Sequence, residues 1–216
     1  MEAGKQAAAL FDLDGVVFDT EPQYTVFWGG MGRLYHPEVP HFEQKIKGQT
    51  LVQIFEKWFP GQEELQRAIT AGLDAFERDM DYTYVPGVER FLQDLRQAGI
   101  RTAVVTSSNQ EKMHNVYRKH PEFEGYFDRI LTSEDFARSK PDPDCYLLGA
   151  EVFGLPVGRC VVFEDSFNGL KAGRAAGMKV VGLSTTNPAG TIADLCDVVI
   201  PDFGRFTVEN MLEGLD

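Results

Sequence analysis

The sequence predicts an α/β fold: a doubly wound parallel sheet with helices on both faces and a helical module inserted after the first strand. Strand and helix patterns alternate from residue 84 onward, at the spacing typical of parallel sheets. Residues 21–81 instead read as helices rich in aromatic side chains, without an alternating strand pattern. The chain has 216 residues, 43% hydrophobic and 25% charged, which is typical of one good-sized globular domain or a core with a smaller insert.

The first predicted strand lies in the stretch Ala7–Thr20, AAALFDLDGVVFDT, where an apolar run is followed at once by Asp12 and Asp14. Side chains at i and i+2 of an extended chain point to the same side, so the two carboxylates could converge on one ligand. Such a pair is held by a divalent cation or divides into one ionised and one protonated acid. A solvated turn is the ordinary alternative. A calcium loop is a weaker one, because Val16 stands where an EF-hand places its next oxygen ligand.

The helical module, here called the helical insert, follows this stretch. Helices are predicted over about Glu21–Met31, His41–Phe59 and Gly61–Met80, with prolines and a glycine between them. Its aromatic side chains are expected to form a core rather than a ligand site.

The remaining elements alternate along the chain. Helices are predicted over Val88–Ala98, Gln110–Lys119, Asp144–Phe153 and Phe167–Ala176, and strands over Arg101–Thr106, Arg129–Thr132, Cys160–Glu164, Lys179–Leu183 and Val198–Ile200. Ligands of such sheets bind outside the carboxyl ends of the strands. Polar residues stand at those ends: Asp12, Thr106–Asn109 and Glu164–Ser166, with the loop Ser139–Pro143 before a helix.

Composition also limits the partners. The net charge of −12 argues against nucleic acid or an anionic membrane, because both need clustered cations. The N-terminus has one lysine and too short an apolar run for a signal peptide or membrane span. Cys145, Cys160 and Cys196 have no partner at metal-ligand spacing. We therefore expect a cytoplasmic protein with reduced, buried thiols.

Each strand-end motif has an ordinary structural explanation. Residues 106–109 could cap a helix, Lys140 could be an exposed loop cation, and Glu164 and Asp165 could cap the helix that follows them. Together, however, they supply the groups that phosphoryl transfer needs. These are a carboxylate nucleophile, further carboxylates for Mg²⁺, a lysine that offsets negative charge, and hydroxyl and N–H donors for phosphate oxygens.

Four segments resemble the motifs of the haloacid dehalogenase superfamily, specifically its β-phosphoglucomutase-like branch with a helical (C1-type) cap. They are FDLDGVVFDTEP (Phe11–Pro22), VVTSSN (Val104–Asn109), SKPDPDCY (Ser139–Tyr146) and FEDSFNGLKAG (Phe163–Gly173), in family order. The resemblance covers nearly the whole chain. It implies a Rossmann-like catalytic core from residues 1–19 and 84–216, a cap domain at 20–83, and hinges near Asp19–Thr20 and Thr83–Pro86.

The resemblance also implies a role for each site residue. Asp12 would attack phosphorus to give an aspartyl-phosphate, and Asp14 would protonate the leaving alcohol and then activate water. Asp12 and Asp165 would bind Mg²⁺ by their side chains and Asp14 by its backbone carbonyl, with Glu164 as a further ligand or close by. The substrate contacts would be Thr106 and the Ser107 amide at phosphoryl oxygens, Lys140 between nucleophile and phosphoryl group, and possible cap contacts from Lys47 and Tyr24.

Three functions compete within this resemblance: a phosphatase, a phosphosugar mutase and a catalytically silent binding domain. Phosphosugar mutases of the family carry a His about ten residues after the acid/base Asp and an Arg soon after a Lys-Gly pair, whereas this chain has Tyr24 and Leu51 there. Dehalogenases lack the second Asp, which this chain has as Asp14. A catalytically silent binding domain would not need every motif residue, yet none is missing here. We therefore expect a Mg²⁺-dependent phosphatase of a small phosphorylated metabolite, such as a sugar phosphate. The sequence does not indicate which oligomeric state the protein has.

Overall fold

The computed structural model describes residues 7–215, and its centre is one parallel sheet. The strands are β1 Ala8–Phe11, β2 Arg101–Val105, β3 Arg129–Leu131, β4 Cys160–Glu164, β5 Lys179–Leu183 and β6 Val198–Ile200. Their order is β3-β2-β1-β4-β5-β6, and all neighbouring pairs are parallel. The sheet therefore confirms the predicted doubly wound, Rossmann-like α/β fold. Because β1 lies between β2 and β4, the residues that follow these three strands meet at one edge.

Ten α-helices surround the sheet or lie in the insert within the described residues. They are α1 Glu21–Tyr35, α2 Phe42–Lys45, α3 Leu51–Trp58, α4 Glu63–Asp79, α5 Val88–Gln97, α6 Gln110–Lys119, α7 Asp144–Glu151, α8 Phe167–Ala175, α9 Ala189–Ile192 and α10 Val208–Leu212. The predicted helices after the insert are all present. The short α9 and α10 were not predicted. No helix within residues 7–215 is both long enough and apolar enough to cross a membrane.

The alternation of β1 divides its side chains between the two faces of the sheet. Phe11 belongs to one apolar cluster, where its ring stacks on Phe163 with 4.6 Å between ring centres. Leu10 belongs to the cluster on the opposite face with Tyr146. Burying a side chain of this size stabilises the fold by about 1.5–3 kcal/mol. Both faces of β1 are therefore anchored, which fixes the position of the acidic residues after it.

The helical insert has an apolar cluster of its own, built around Trp28, Phe42 and Phe59. The aromatic residues thus form a core, as expected, but the prediction of one helix over His41–Phe59 was wrong. Gly48 has a φ of +68°, outside the helical range, and α3 begins only after it. The chain therefore has two short helices here.

The two segments that join the insert to the sheet lie side by side. The Asp19 N–H donates to the Thr83 carbonyl at 2.8 Å, and the Val85 N–H donates to the Val17 carbonyl at 2.9 Å. Entry and exit of the insert are therefore adjacent, at the positions where the hinges are predicted.

Candidate active site

A cavity of about 480 Å³ lies between the carboxyl ends of the strands and the helical insert. All nine residues proposed from the sequence line it: Asp12, Asp14, Tyr24, Lys47, Thr106, Ser107, Lys140, Glu164 and Asp165. They come from three strand ends, one loop and the insert, so the fold brings together groups as far as 153 positions apart along the chain, from Asp12 to Asp165.

Lys140 is buried at the centre of the sheet's edge, with 3% of the residue exposed. Its Nζ donates to Asp12 Oδ1 at 2.6 Å and to Glu164 Oε1 at 2.7 Å. Burial disfavours the charged ammonium, but the two carboxylates outweigh that effect and hold the pKa of Lys140 well above its ordinary value. The alternative of an exposed loop cation is therefore wrong.

Asp12 follows β1 directly and faces this ammonium. Burial raises the pKa of Asp12 to about 7; Lys140 opposes the rise, and the neighbouring Glu164 and Asp14 add to it. In the protein alone, the ionised form of the Asp12 carboxylate is therefore unfavourable. A further positive charge nearby would favour the ionised form.

The Glu164 carboxylate is fully buried and accepts hydrogen bonds from several directions. Lys140 and the Tyr146 hydroxyl, at 2.9 Å, donate to Oε1. The backbone N–H groups of Asp165 and Ser166, both at 3.0 Å, and the Ser166 hydroxyl donate to Oε2. Both oxygens are thus engaged, and Glu164 holds Lys140 in place.

Asp165 is only 2% exposed and is supported by a loop that the sequence did not single out. The Thr186 hydroxyl donates to Asp165 Oδ2, and Asn187 Nδ2 donates to the Asp165 carbonyl at 2.9 Å. Gly15 has a φ of +73°, and a Cβ there would collide with the Asp165 carboxylate. Burial raises the pKa of Asp165 well above its ordinary value, and Glu164, Glu21 and Asp12 raise it further.

Three carboxylates could hold a metal ion. Asp12, Glu164 and Asp165 each offer an oxygen, and these atoms lie within 4.8 Å of one another. After burial, the nearby carboxylates of Glu164, Glu21 and Asp12 are the next causes of the raised pKa of Asp165, so a cation here would be favourable. Clustered carboxylate oxygens are the donors that Mg²⁺ prefers. The residues therefore fit a magnesium ion.

Asp14 points to a different part of the cavity from Asp12. The Thr20 hydroxyl donates to Asp14 Oδ1 at 2.5 Å, and the Ser108 hydroxyl donates to Oδ2 at 3.2 Å. Lys112 Nζ forms a buried ion pair with the same Oδ2. The two acids of the first motif are thus held by different ammonium groups, and Lys112 was missed from the sequence.

Residues 106–109 combine lining and capping roles. Thr106 and Ser107 line the cavity, and the Thr106 hydroxyl accepts from the Ser108 N–H at 3.0 Å. Asn109 caps α6, and Ser166 likewise caps α8 by accepting from the Gly169 N–H at 3.1 Å. The capping explanation is therefore right for Asn109. For α8 it is wrong, because the cap is the Ser166 side chain and not that of Glu164 or Asp165.

The insert closes the cavity with paired polar groups. Lys47 Nζ lies 3.4 Å from Glu21 Oε2, and the Lys47 side chain is only 14% exposed. The Tyr24 hydroxyl donates to Glu77 Oε1 at 2.6 Å. Sequence reasoning missed both acids, because nothing in a helical pattern shows which face lines a cavity.

Several hydrogen bonds join the insert directly to the sheet side, and two of them involve residues beside the cavity. Gln53 Nε2 donates to the Lys140 carbonyl at 3.2 Å, and Asn168 Nδ2 donates to the Gly48 carbonyl at 2.9 Å. The insert therefore lies against the strand ends in this structure.

Comparisons with known proteins agree with this architecture. Hexitol phosphatase A of Escherichia coli is 29% identical over 95% of this chain and 95% of its own length. SUPPRESSOR OF QUENCHING 1 of Arabidopsis thaliana is 27% identical over 98% of this chain, which spans only 21% of that protein's length. The crystal structure of β-phosphoglucomutase from Clostridium difficile superposes with a TM-score of 0.75 and 22% identity, covering 96% of both chains.

The family model for haloacid dehalogenase-like hydrolases matches residues 7–177, which include all four sequence motifs and the whole helical insert. The predicted resemblance to this superfamily is confirmed, and the β-phosphoglucomutase structure shares the fold. The chain belongs to the haloacid dehalogenase-like hydrolases.

Proposed function

We propose that this hydrolase is a Mg²⁺-dependent phosphatase that acts on a small phosphorylated metabolite, such as a sugar phosphate. The observation that carries the proposal is the 2.6 Å contact between Lys140 Nζ and Asp12 Oδ1 at a buried strand end. An ammonium here offsets negative charge on the nucleophile and on the phosphoryl group that it attacks. The similarity to hexitol phosphatase A supports a phosphate ester of a small polyhydroxylated compound.

The proposed reaction has two steps. Asp12 attacks phosphorus, and the bond from phosphorus to the leaving oxygen breaks while Asp14 gives that oxygen its proton. Water then attacks phosphorus of the aspartyl-phosphate, Asp14 takes a proton from this water, and the bond to Asp12 breaks. Asp14 thus ends the cycle with the proton that the next cycle uses, while Thr106 and the Ser107 amide hold phosphoryl oxygens.

Mg²⁺ would be held by the side chains of Asp12 and Asp165 and by the backbone carbonyl of Asp14. When bound, it would supply positive charge that favours the ionised form of Asp12 and polarises the phosphoryl group. We assign Glu164 to positioning, because both of its oxygens already accept hydrogen bonds from the protein.

We further propose a cap domain at residues 20–83, which would open and close about the two linkers, and a cytoplasmic location. The free cysteines Cys145, Cys160 and Cys196 support that location.

The test is a phosphate-release screen over hexose, pentose and nucleoside phosphates and pyrophosphate, with Mg²⁺ and with a chelator. We expect release from a subset of these compounds, lost on chelation. Isomerisation of a sugar phosphate primed by a 1,6-bisphosphate, without net phosphate release, would establish the mutase instead. Absence of both activities would favour a silent binding domain.

A further inference from the structure

Lys112 is a buried lysine in an electrostatically unfavourable position. It lies in the first turn of α6 and is 2% exposed. A cation in the first turn faces the positive end of the helix dipole, and burying an ammonium costs several kcal/mol unless it is paired. Two unfavourable effects at one residue indicate that Lys112 is present for its contacts.

On the sheet side, the contact is with Asp14. The Lys112 ammonium pairs with Oδ2, the Ser108 hydroxyl donates to the same oxygen at 3.2 Å, and the Thr20 hydroxyl donates to Oδ1 at 2.5 Å. Three donors from three segments therefore determine the direction of one carboxylate, and Lys112 supplies the charged hydrogen bond, the strongest kind among them.

On the insert side, the same ammonium lies 4.7 Å from the centre of the Tyr24 ring, within the range of a cation–π contact. The hydroxyl of this ring donates to Glu77 at 2.6 Å. Burial raises the pKa of Glu77, and the positive charge of Lys112 opposes the rise, so the two groups attract one another. Lys112 thus lies between Asp14 and two helices of the insert, α1 and α4.

Building on the proposed phosphatase reaction, we infer that Lys112 is a positioning residue that orients the Asp14 carboxylate, and that the Tyr24 ring makes this orientation depend on the closed insert. An insert that moved away would take the ring and Glu77 with it, leaving Lys112 held by Asp14 and solvent. The geometry for proton transfer is then complete only when the insert encloses the substrate.

The experiment compares two esters that differ in their need for a general acid. The p-nitrophenolate group leaves without protonation, whereas the alcohol of a sugar phosphate does not. Rapid-quench measurements give the rate of aspartyl-phosphate formation from p-nitrophenyl phosphate and from the best sugar phosphate of the screen. For Lys112→Met we expect a loss of about 10²-fold or more with the sugar phosphate and less than about 10-fold with p-nitrophenyl phosphate. Lys112→Arg should recover part of the difference.

Equal losses with both esters, or no loss with either, would overturn the inference. If Lys112→Met fails to fold, Tyr24→Leu and Tyr24→Phe provide the second comparison. Leucine removes the ring and should produce the same ester-dependent loss in weaker form, while phenylalanine keeps the ring and should lose less. Equal effects of the two Tyr24 variants would overturn the role of the ring. Failure of the unsubstituted protein to hydrolyse either ester would instead overturn the phosphatase proposal, and this inference with it.

Discussion

The two walls of the cavity differ in how their polar side chains are held. On the sheet wall, Asp12 and Glu164 stand at the ends of buried strands, and Lys140 is bonded to both. On the insert wall, Lys47 and Tyr24 are held by side chains of other helices in the same insert. The sheet wall thus has its geometry fixed by the main fold, whereas the insert wall is part of the cap domain that we propose moves as a unit. We expect substitutions on the sheet wall to change the chemistry and those on the insert wall to change enclosure and selectivity.

Asp12→Asn should have the largest effect on activity. The amide keeps the shape of the side chain but cannot attack phosphorus, so Mg²⁺-dependent phosphate release should fall below detection. Thermal unfolding should show a folded protein, and Asp194→Asn, which changes the same charge at an exposed position, should keep its turnover. Near-normal turnover by Asp12→Asn would contradict its assignment as the nucleophile.

Asp14→Asn should have the next largest effect. Without a proton shuttle, steady-state turnover should fall about 10²- to 10⁴-fold. Aspartyl-phosphate formation from p-nitrophenyl phosphate should fall less, because its leaving group needs no proton. A burst of p-nitrophenolate followed by slow turnover would show this directly. An unchanged steady-state rate would mean that another group transfers the proton.

Lys140→Met tests how strongly the sheet wall depends on one ammonium. The variant leaves the buried carboxylates of Asp12 and Glu164 without their ammonium partner. This should lower the free energy of unfolding by about 3–5 kcal/mol in denaturant titrations. Mg²⁺ should restore part of this loss, because an ion that binds only the folded state stabilises it. Lys45→Met, at an exposed position of the insert, should change the value by less than about 0.5 kcal/mol. Equal values for the two variants would contradict this account.

The same difference between the walls explains what could be predicted from sequence. The sheet wall follows largely from strand ends, because parallel strands bring their carboxyl ends to one edge, and Asp12 and Asp165 were found in that way. Lys140 was found from the motif in the loop before α7. Lys112 and Glu77 lie on helices, and the direction of a helical side chain toward a cavity depends on tertiary packing. The break at Gly48 was missed because residues 41–59 are helix-compatible on both sides of it. Residues Thr186 and Asn187 follow a strand end too, but they carry no charge that would have drawn attention to them.

The smallest effect, and the one most specific to closure, is expected at Gly48. Gly48 and Gly61 both belong to the insert and both have a φ of +68°. A Cβ at Gly48 would lie 2.7 Å from Ser166 Cβ on the sheet side, whereas a Cβ at Gly61 would have nothing within 4 Å. Alanine at either position should cost about 1–2 kcal/mol of stability through the left-handed backbone.

The two alanine variants should therefore separate backbone strain from closure. Only Gly48→Ala pushes the insert away from the strand ends, near the hydrogen bond from Asn168 to the Gly48 carbonyl. We expect kcat/KM to fall for Gly48→Ala by up to about 10²-fold, the order of loss that a displacement of about 1 Å can cause, and to stay near normal for Gly61→Ala. Thermal unfolding measures the shared strain and steady-state kinetics the difference. Equal kcat/KM values for the two variants would mean that the contact between Gly48 and Ser166 is not needed for turnover, and that the insert wall contributes to selectivity without closing on the sheet.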